Sequence, residues 1–227
     1  MERTSVTSAT FDYELQRPLE EAALIASGVK TQLEREHYLS LFRKLVNQIT
    51  AQMPKADEIS RARFLFNWLW QVKPQRYLPG GYFLLNKVLE AQIRPGSGPV
   101  GNCLGLAVLY NSLARQFGLK VATIHLERAF HGIPHVFTSL STGDKQVDIE
   151  HISADGFNQT EHLDNPEREL WGDDELIADI YLSRGNTLFE ASKWLDAIVC
   201  YNMALELNPR YQKAELNRAM AVSQVAT

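Results

Sequence analysis

Three residues of this chain stand in an order that can carry out thiol chemistry: Cys103 in GNCLGLAVLY, His135 in PHVFTSL and Asp148 in QVDIE. A cysteine attacks only as its thiolate, so it needs a base to hold its proton and a third group to orient that base. Cys103 follows Asn102, a good N-cap residue, and leads a run to Phe117 that is apolar or small apart from Asn111, Ser112, Arg115 and Gln116. Gly118 then supplies a helix stop. The spacing predicts a buried helix opening at Cys103, whose unpaired N–H groups and dipole favour a thiolate. The competing reading is a small core thiol.

The elements that must bring the histidine and the acid to this cysteine follow Gly118. Val121, Thr123 and His125 alternate with Ala122, Ile124 and Leu126 as in a strand, and HVFTSL and KQVDIE read as two more, joined through STGD. A turn centred on Thr142 and Gly143 would set His135 opposite Glu150 and make Asp148 its diagonal neighbour, both acids on the histidine's face. A slip of one residue would undo this. Asp148 lies between Val147 and Ile149 and needs a partner if turned inward, so it competes with Glu150 for His135.

Upstream, residues 1–12 read as loose. Three amphipathic helices follow: one from Pro18 to near Gly28, one carrying Tyr38, Leu41, Phe42, Leu45 and Ile49, and one carrying Ile59, Ala62, Leu65, Phe66, Leu69 and Trp70. Pro74, Pro79, Gly80 and Gly81 mark turns before a short helix, LLNKVLEAQ, and Pro95, Gly96, Gly98 and Pro99 break the chain again. Residues 153–168 read as a polar linker. Beyond it, Gly185, Leu188, Ala197, Tyr201, Ala204 and Pro209 fall at tetratricopeptide spacing, and Ala214–Val222 opens a second repeat, with Ala219 in the place of Gly185. A single unit cannot form the groove of a repeat array and must lean on the first domain or on another chain. The expected class is α+β: a helical N-terminal half, the cysteine helix packed on a small antiparallel sheet, then a helical repeat. The expected domains are 13–165 and 170–227, the second ending in a third, solvating helix.

Composition narrows the function. A net charge of −4 without any Lys/Arg cluster argues against nucleic acid. No apolar run nears the roughly 18 residues of a membrane span, and the first residues lack the order of a signal peptide. With two cysteines that fit no zinc spacing, a cytoplasmic protein is expected. Five of the six histidines lie between residues 125 and 162, but Gly132 and Pro134 break the helix that would align His131 with His135 on zinc, so neither a metal nor a cofactor is expected. His131 or His151 could gate a pocket. Cys200, Trp68 and Trp70 read as packing residues.

The order of cysteine at a helix start, histidine on a strand and Asp on the next resembles the transglutaminase-like branch of the papain-like thiol fold. The segment LLNKVLEAQIRPGSGPVGNCLGLAVLYNSLARQFGL is similar to the bacterial SirB-type proteins, which pair this domain with tetratricopeptide repeats. Together the likeness spans about residues 18–220. It implies a Cys103–His135–Asp148 triad in an enzyme that transfers or hydrolyses a peptide or protein amide. Cys103 would attack the carbonyl, His135 would carry the proton and Asp148 would fix the imidazole. The backbone N–H of Cys103 is one oxyanion donor, with Asn86, Gln92, Ser97 and Asn102 unranked for a second. The alternatives are a non-catalytic scaffold that binds a protein partner partly through its repeat, and a thiol redox site.

Overall fold

The computed structural model describes residues 17–129, 132–143 and 145–226, and the expectations for residues 1–12 and for His131 lie outside these. Among the described residues the chain forms α1 (Leu19–Ala26), α2 (Gln32–Thr50), α3 (Glu58–Val72), α4 (Leu85–Ile93) and α5 (Cys103–Gln116). The strands are β1 (Val121–Leu126), β2 (His135–Thr142), β3 (Lys145–Ile149), β4 (Phe157–Gln159) and β5 (Arg168–Trp171), and α6 (Asp173–Glu190), α7 (Trp194–Leu207) and α8 (Gln212–Val225) complete the chain. The class is α+β, as expected.

Helix starts follow local chemistry. Pro18 precedes α1, Thr31 and Glu34 form a capping box on α2, and the Asp57 side chain accepts from Ser60 N on α3. The strands make one antiparallel sheet in the order β4-β3-β2-β1-β5. The reading of 153–168 as an irregular linker therefore misses one short edge strand and the first residue of another. Neither FNQ nor RELW is long enough to show a period, and each is a strand because a neighbour pairs with it.

Helix α5 is the centre of the molecule. Every residue from Leu104 to Ala114 is buried, and the helix packs on β1 and β2 with α1 and α4 around it. A polar network pins it to the sheet. Asn111 Nδ2 donates to Thr123 Oγ1 on β1 at 3.0 Å, and Thr138 Oγ1 on β2 donates to Asn111 Oδ1 at 2.6 Å. Both strands are thus tied to one helical residue, which fixes the rotation of α5 and with it the direction of Cys103.

The helical repeat leans on the first domain. Arg184 of α6 donates to Ala26 O at 3.2 Å and lies over Gly28, whose φ of +90° ends α1. Asp173 pairs with Arg115, and Lys213 pairs with Glu127. The Trp171 and Tyr211 rings meet edge to face at 5.6 Å. Within the repeat a Cβ on Gly185 would stand 2.5 Å from Tyr201 Cε1, so the close crossing of α6 and α7 requires the glycine. Cys200, Trp68 and Trp70 pack as expected.

Candidate functional site

The residues before α5 are built to present its first turn. The Asn102 side chain accepts from Gly105 N at 3.0 Å, the expected N-cap, and Asn102 N donates to Tyr82 O at 3.0 Å. Leu78 N donates to Gly101 O, while Arg76 O accepts from Val100 N and Gly101 N. Cβ atoms on Gly101 and Gly105 would lie 2.6 Å and 2.3 Å from Tyr82 O. The 77–84 loop can therefore pass over the helix start only because these positions are glycine. Cys103 is half-buried, and the first-turn N–H groups have no intrahelical partner.

His135 opens β2, and its imidazole is 6 % exposed. Nε2 stands 2.5 Å from Glu150 Oε2, and Cys103 is near enough to the ring to act on its charge. Burial opposes charge on this ring, but the hydrogen bonds and charges of Cys103 and Glu150 outweigh it and raise its pKa to about 10. Tyr77 lies within the field of both Cys103 and Glu150.

The acid beside the imidazole is Glu150, not Asp148. The hairpin pairs Thr142 with Lys145 and Thr138 with Ile149, two residues on from the register expected for a turn at Thr142–Gly143. A shift of two keeps every side chain on its face, so His135, Asp148 and Glu150 do share one. Extending the ladder by one residue sets Glu150 opposite Phe137 and diagonal to His135, while Asp148 falls opposite Ser139 and out of reach. Asp148 instead takes a two-point grip from Arg168, with both contacts at 2.8 Å, and this guanidinium lies over the Phe137 ring. Glu150 is held in turn: Glu150 N donates to Gly156 O at 2.8 Å and Ile152 N donates to Glu150 Oε1 at 3.2 Å.

His151 follows Glu150 in the chain but packs on the other side of the sheet, against Tyr110 and Phe66. Its Nε2 is 2.7 Å from Thr138 Oγ1. That hydroxyl's one proton goes to Asn111 Oδ1, so His151 must donate from Nε2. Burial, and after it the charges of Arg76 and His135, push its pKa well below the usual value. Gating of a pocket by His151 is thus replaced by a structural role. Arg76 is itself buried without a hydrogen-bond partner at Nη1, which lowers its pKa to about 9.

This gives a pH prediction. In the unfolded chain His151 binds a proton below about pH 6.5, whereas in the folded chain it resists protonation. Stability present above that pH is therefore lost as pH falls below it. His151→Gln keeps an N–H donor for Thr138 but does not titrate. Thermal melts of the variant should change less between pH 7 and pH 5 (about the window of the free imidazole) than those of the wild type.

Of the four side chains considered as oxyanion donors, Asn102 is engaged in the cap, and Ser97 is exposed. Among the described residues, Asn86 Oδ1 is buried without a partner, and so are both amide atoms of Gln92. Among the described residues no group of three His, Cys, Asp or Glu side chains could hold a metal ion, and no helix is long and apolar enough to cross a membrane.

Residues 178–211 match the family model of the tetratricopeptide repeat, a segment that covers most of α6 and all of α7. Such repeats commonly mediate contacts between proteins. Comparison with curated proteins and with solved structures gave no match.

Proposed function

We propose that the chain is a cysteine-dependent acyl-transfer or amide-hydrolysing enzyme of the transglutaminase-like class, acting on a peptide or protein amide. Residues 13–165 form its thiol domain and 170–227 the repeat. The reading rests on one observation above the rest: a buried imidazole joined to both a half-buried cysteine at a helix start and a carboxylate. Cys103 is the nucleophile, His135 the proton carrier and Glu150 the acid.

In this mechanism the Cys103 thiolate bonds to the substrate carbonyl carbon, and the C=O electron pair moves onto oxygen, where the Cys103 N–H can donate to it. As the C–N bond breaks, the His135 imidazolium gives its proton to the departing amine. Water or a second amine then attacks the thioester and passes its proton to His135, and the thiolate leaves. Glu150 holds the ring on Nε2 and stabilises its charged form through both steps. The repeat supplies a second role, as the surface for a protein partner, and two free cysteines are in keeping with the cytoplasm.

The test is alkylation by iodoacetamide across pH, with Cys103 and Cys200 scored separately by mass spectrometry. Burial raises the Cys200 pKa, which makes it an internal control. Wild-type Cys103 should react faster than Cys200 across the pH range. His135→Ala should move its profile to higher pH. A folded protein whose Cys103 stays inert, or reacts identically with and without His135, would be a scaffold for a protein partner.

A further inference from the structure

We infer that the cleft between the sheet and the helical repeat binds an extended peptide, which adds to strand β5 and carries a basic residue beside Glu169. The inference does not depend on the thiol chemistry. The cleft has a volume of about 660 Å³, with Glu169, Leu170 and Trp171 on the sheet side and Tyr211, Lys213 and Leu216 on the repeat side. Both parts of the chain are needed to form it.

Strand β5 is the last of the sheet on its side, and its outer edge is open at one residue. Ser141 N donates to Lys120 O, so the even-numbered residues of β1 point their backbone groups at β2, and Thr123 and His125 point theirs at β5. Their partners there are Trp171 and Glu169, which leaves Leu170 with its N–H and C=O directed outward. The outward N–H groups on either side are already taken: Arg168 N donates to Asn165 O, and Gly172 N donates to Glu175 Oε2. Among the described residues neither backbone group of Leu170 has such a partner, and the residue is 63 % exposed where it lines the cleft. An extended chain lying there completes both bonds.

The side chains set the charge of the ligand. That of Glu169 is 65 % exposed, and Trp171 Nε1 orients it by donating to Oε2 at 3.1 Å. Trp171 is itself fixed by His125, stacked on it at 3.9 Å, and by Tyr211, so this wall stands before a ligand arrives. Glu127 and Glu175 add two carboxylates against the cations of Arg210 and Lys213, and Glu127 already pairs with Lys213 at 2.9 Å. The charge left over is negative. On an added strand the residue opposite Glu169 shares its face, while the one opposite Leu170 lies on the other. A Lys or Arg in the first place pairs with Glu169, and an apolar side chain in the second covers Leu170. The repeat wall favours a lone peptide over the edge of a second copy, because that edge brings its own repeat with it.

The experiment measures, by fluorescence anisotropy on the full chain, the binding of capped, fluorescein-labelled peptides of alternating Thr and Val in which a central Thr is replaced by Lys, Gln or Glu. The Lys peptide should bind about fivefold tighter than the Glu peptide, the span of one cross-strand charge pair, with Gln between them. Leu170→Pro removes the outward N–H but no bond to β1, so the variant should keep its melting temperature and bind the Lys peptide at least about fivefold more weakly. N-methylation of alternate amides of the peptide probes the same bonds without changing the protein, and at least one of the two alternating sets should lose the same factor. Glu169→Lys should reverse the order of the Lys and Glu peptides. The inference is overturned if no peptide binds up to about 1 mM, if both N-methylated sets bind as well as the parent, or if the wild type prefers the Glu peptide, which would assign recognition to Arg210. A concentration-dependent dimer that Leu170→Pro abolishes would overturn it as well and give the edge to a second copy.

Discussion

Glu150→Ala should slow alkylation of Cys103 at neutral pH by about tenfold or more, while Asp148→Asn leaves it within about twofold, a tenfold change being what one unit of titration shift produces. The reason lies in which acid touches the ring. Glu150 sits on Nε2 of His135 and holds the imidazole charged against the effect of burial. Without it the charged ring loses its counter-ion in a site that is 6 % exposed, and the imidazolium that favours the thiolate is depleted. Asp148→Asn should act on stability instead. It breaks the two-point contact with Arg168 between side chains that are 3 % and 15 % exposed, at a cost of about 3 kcal/mol. Urea melts and alkylation rates of the two variants therefore separate in opposite senses. Equal alkylation losses in both would return the acid's role to a shared pair.

The same two variants mark where the sequence stops being legible. Cys103 and its helix could be read because cap, apolar run and stop are local, and the structure places each where expected. Order along the chain also pointed from that cysteine to His135. The choice between two acids did not, because it turns on which two residues form a tight turn, and STGD admits more than one answer. A shift of two preserved the face, so pattern alone could not detect it. The fate of Asp148 was further hidden in Arg168, a residue of a four-residue strand that pairs with β1 on the far side of the sheet. That contact is tertiary, with no local signature. The repeat was legible for the opposite reason: its small residues recur at a fixed period, and Gly185 and Ala197 sit at the helix crossing that the period requires.

Two buried histidines flank the sheet in different charge states, and neither state is set by its own residue type. His135 gains a carboxylate and a thiol and is held protonated, whereas His151 gains only a neutral hydroxyl and burial opposes its charge. The charge on His135 itself helps keep His151 neutral. Raising pH should reverse the stabilising contribution of His135. Its folded pKa of about 10 lies above the free value, so the stability it adds is complete below about pH 6.5 and is lost as pH climbs through 10.

A structural effect of similar size is expected from Gly156→Ala, a change of one methyl group outside the triad. Gly156 lies in the turn before β4, and its carbonyl accepts from Glu150 N. A Cβ there would lie 2.0 Å from Glu150 O and 3.0 Å from Glu150 Cβ. The first of these contacts is with backbone, which has no rotamer through which to escape, so residues 150 and 156 must move apart. Overpacking of this kind costs about 2–3 kcal/mol. The displacement also draws the Glu150 carboxylate away from His135 Nε2. Gly156→Ala should therefore lower the melting temperature and reproduce the alkylation defect of Glu150→Ala in protein that remains folded. Gly80→Ala, which meets nothing within 4 Å, is the matched control and should do neither. A Gly156→Ala protein of wild-type stability and wild-type Cys103 reactivity would mean that Glu150 is not held through this turn.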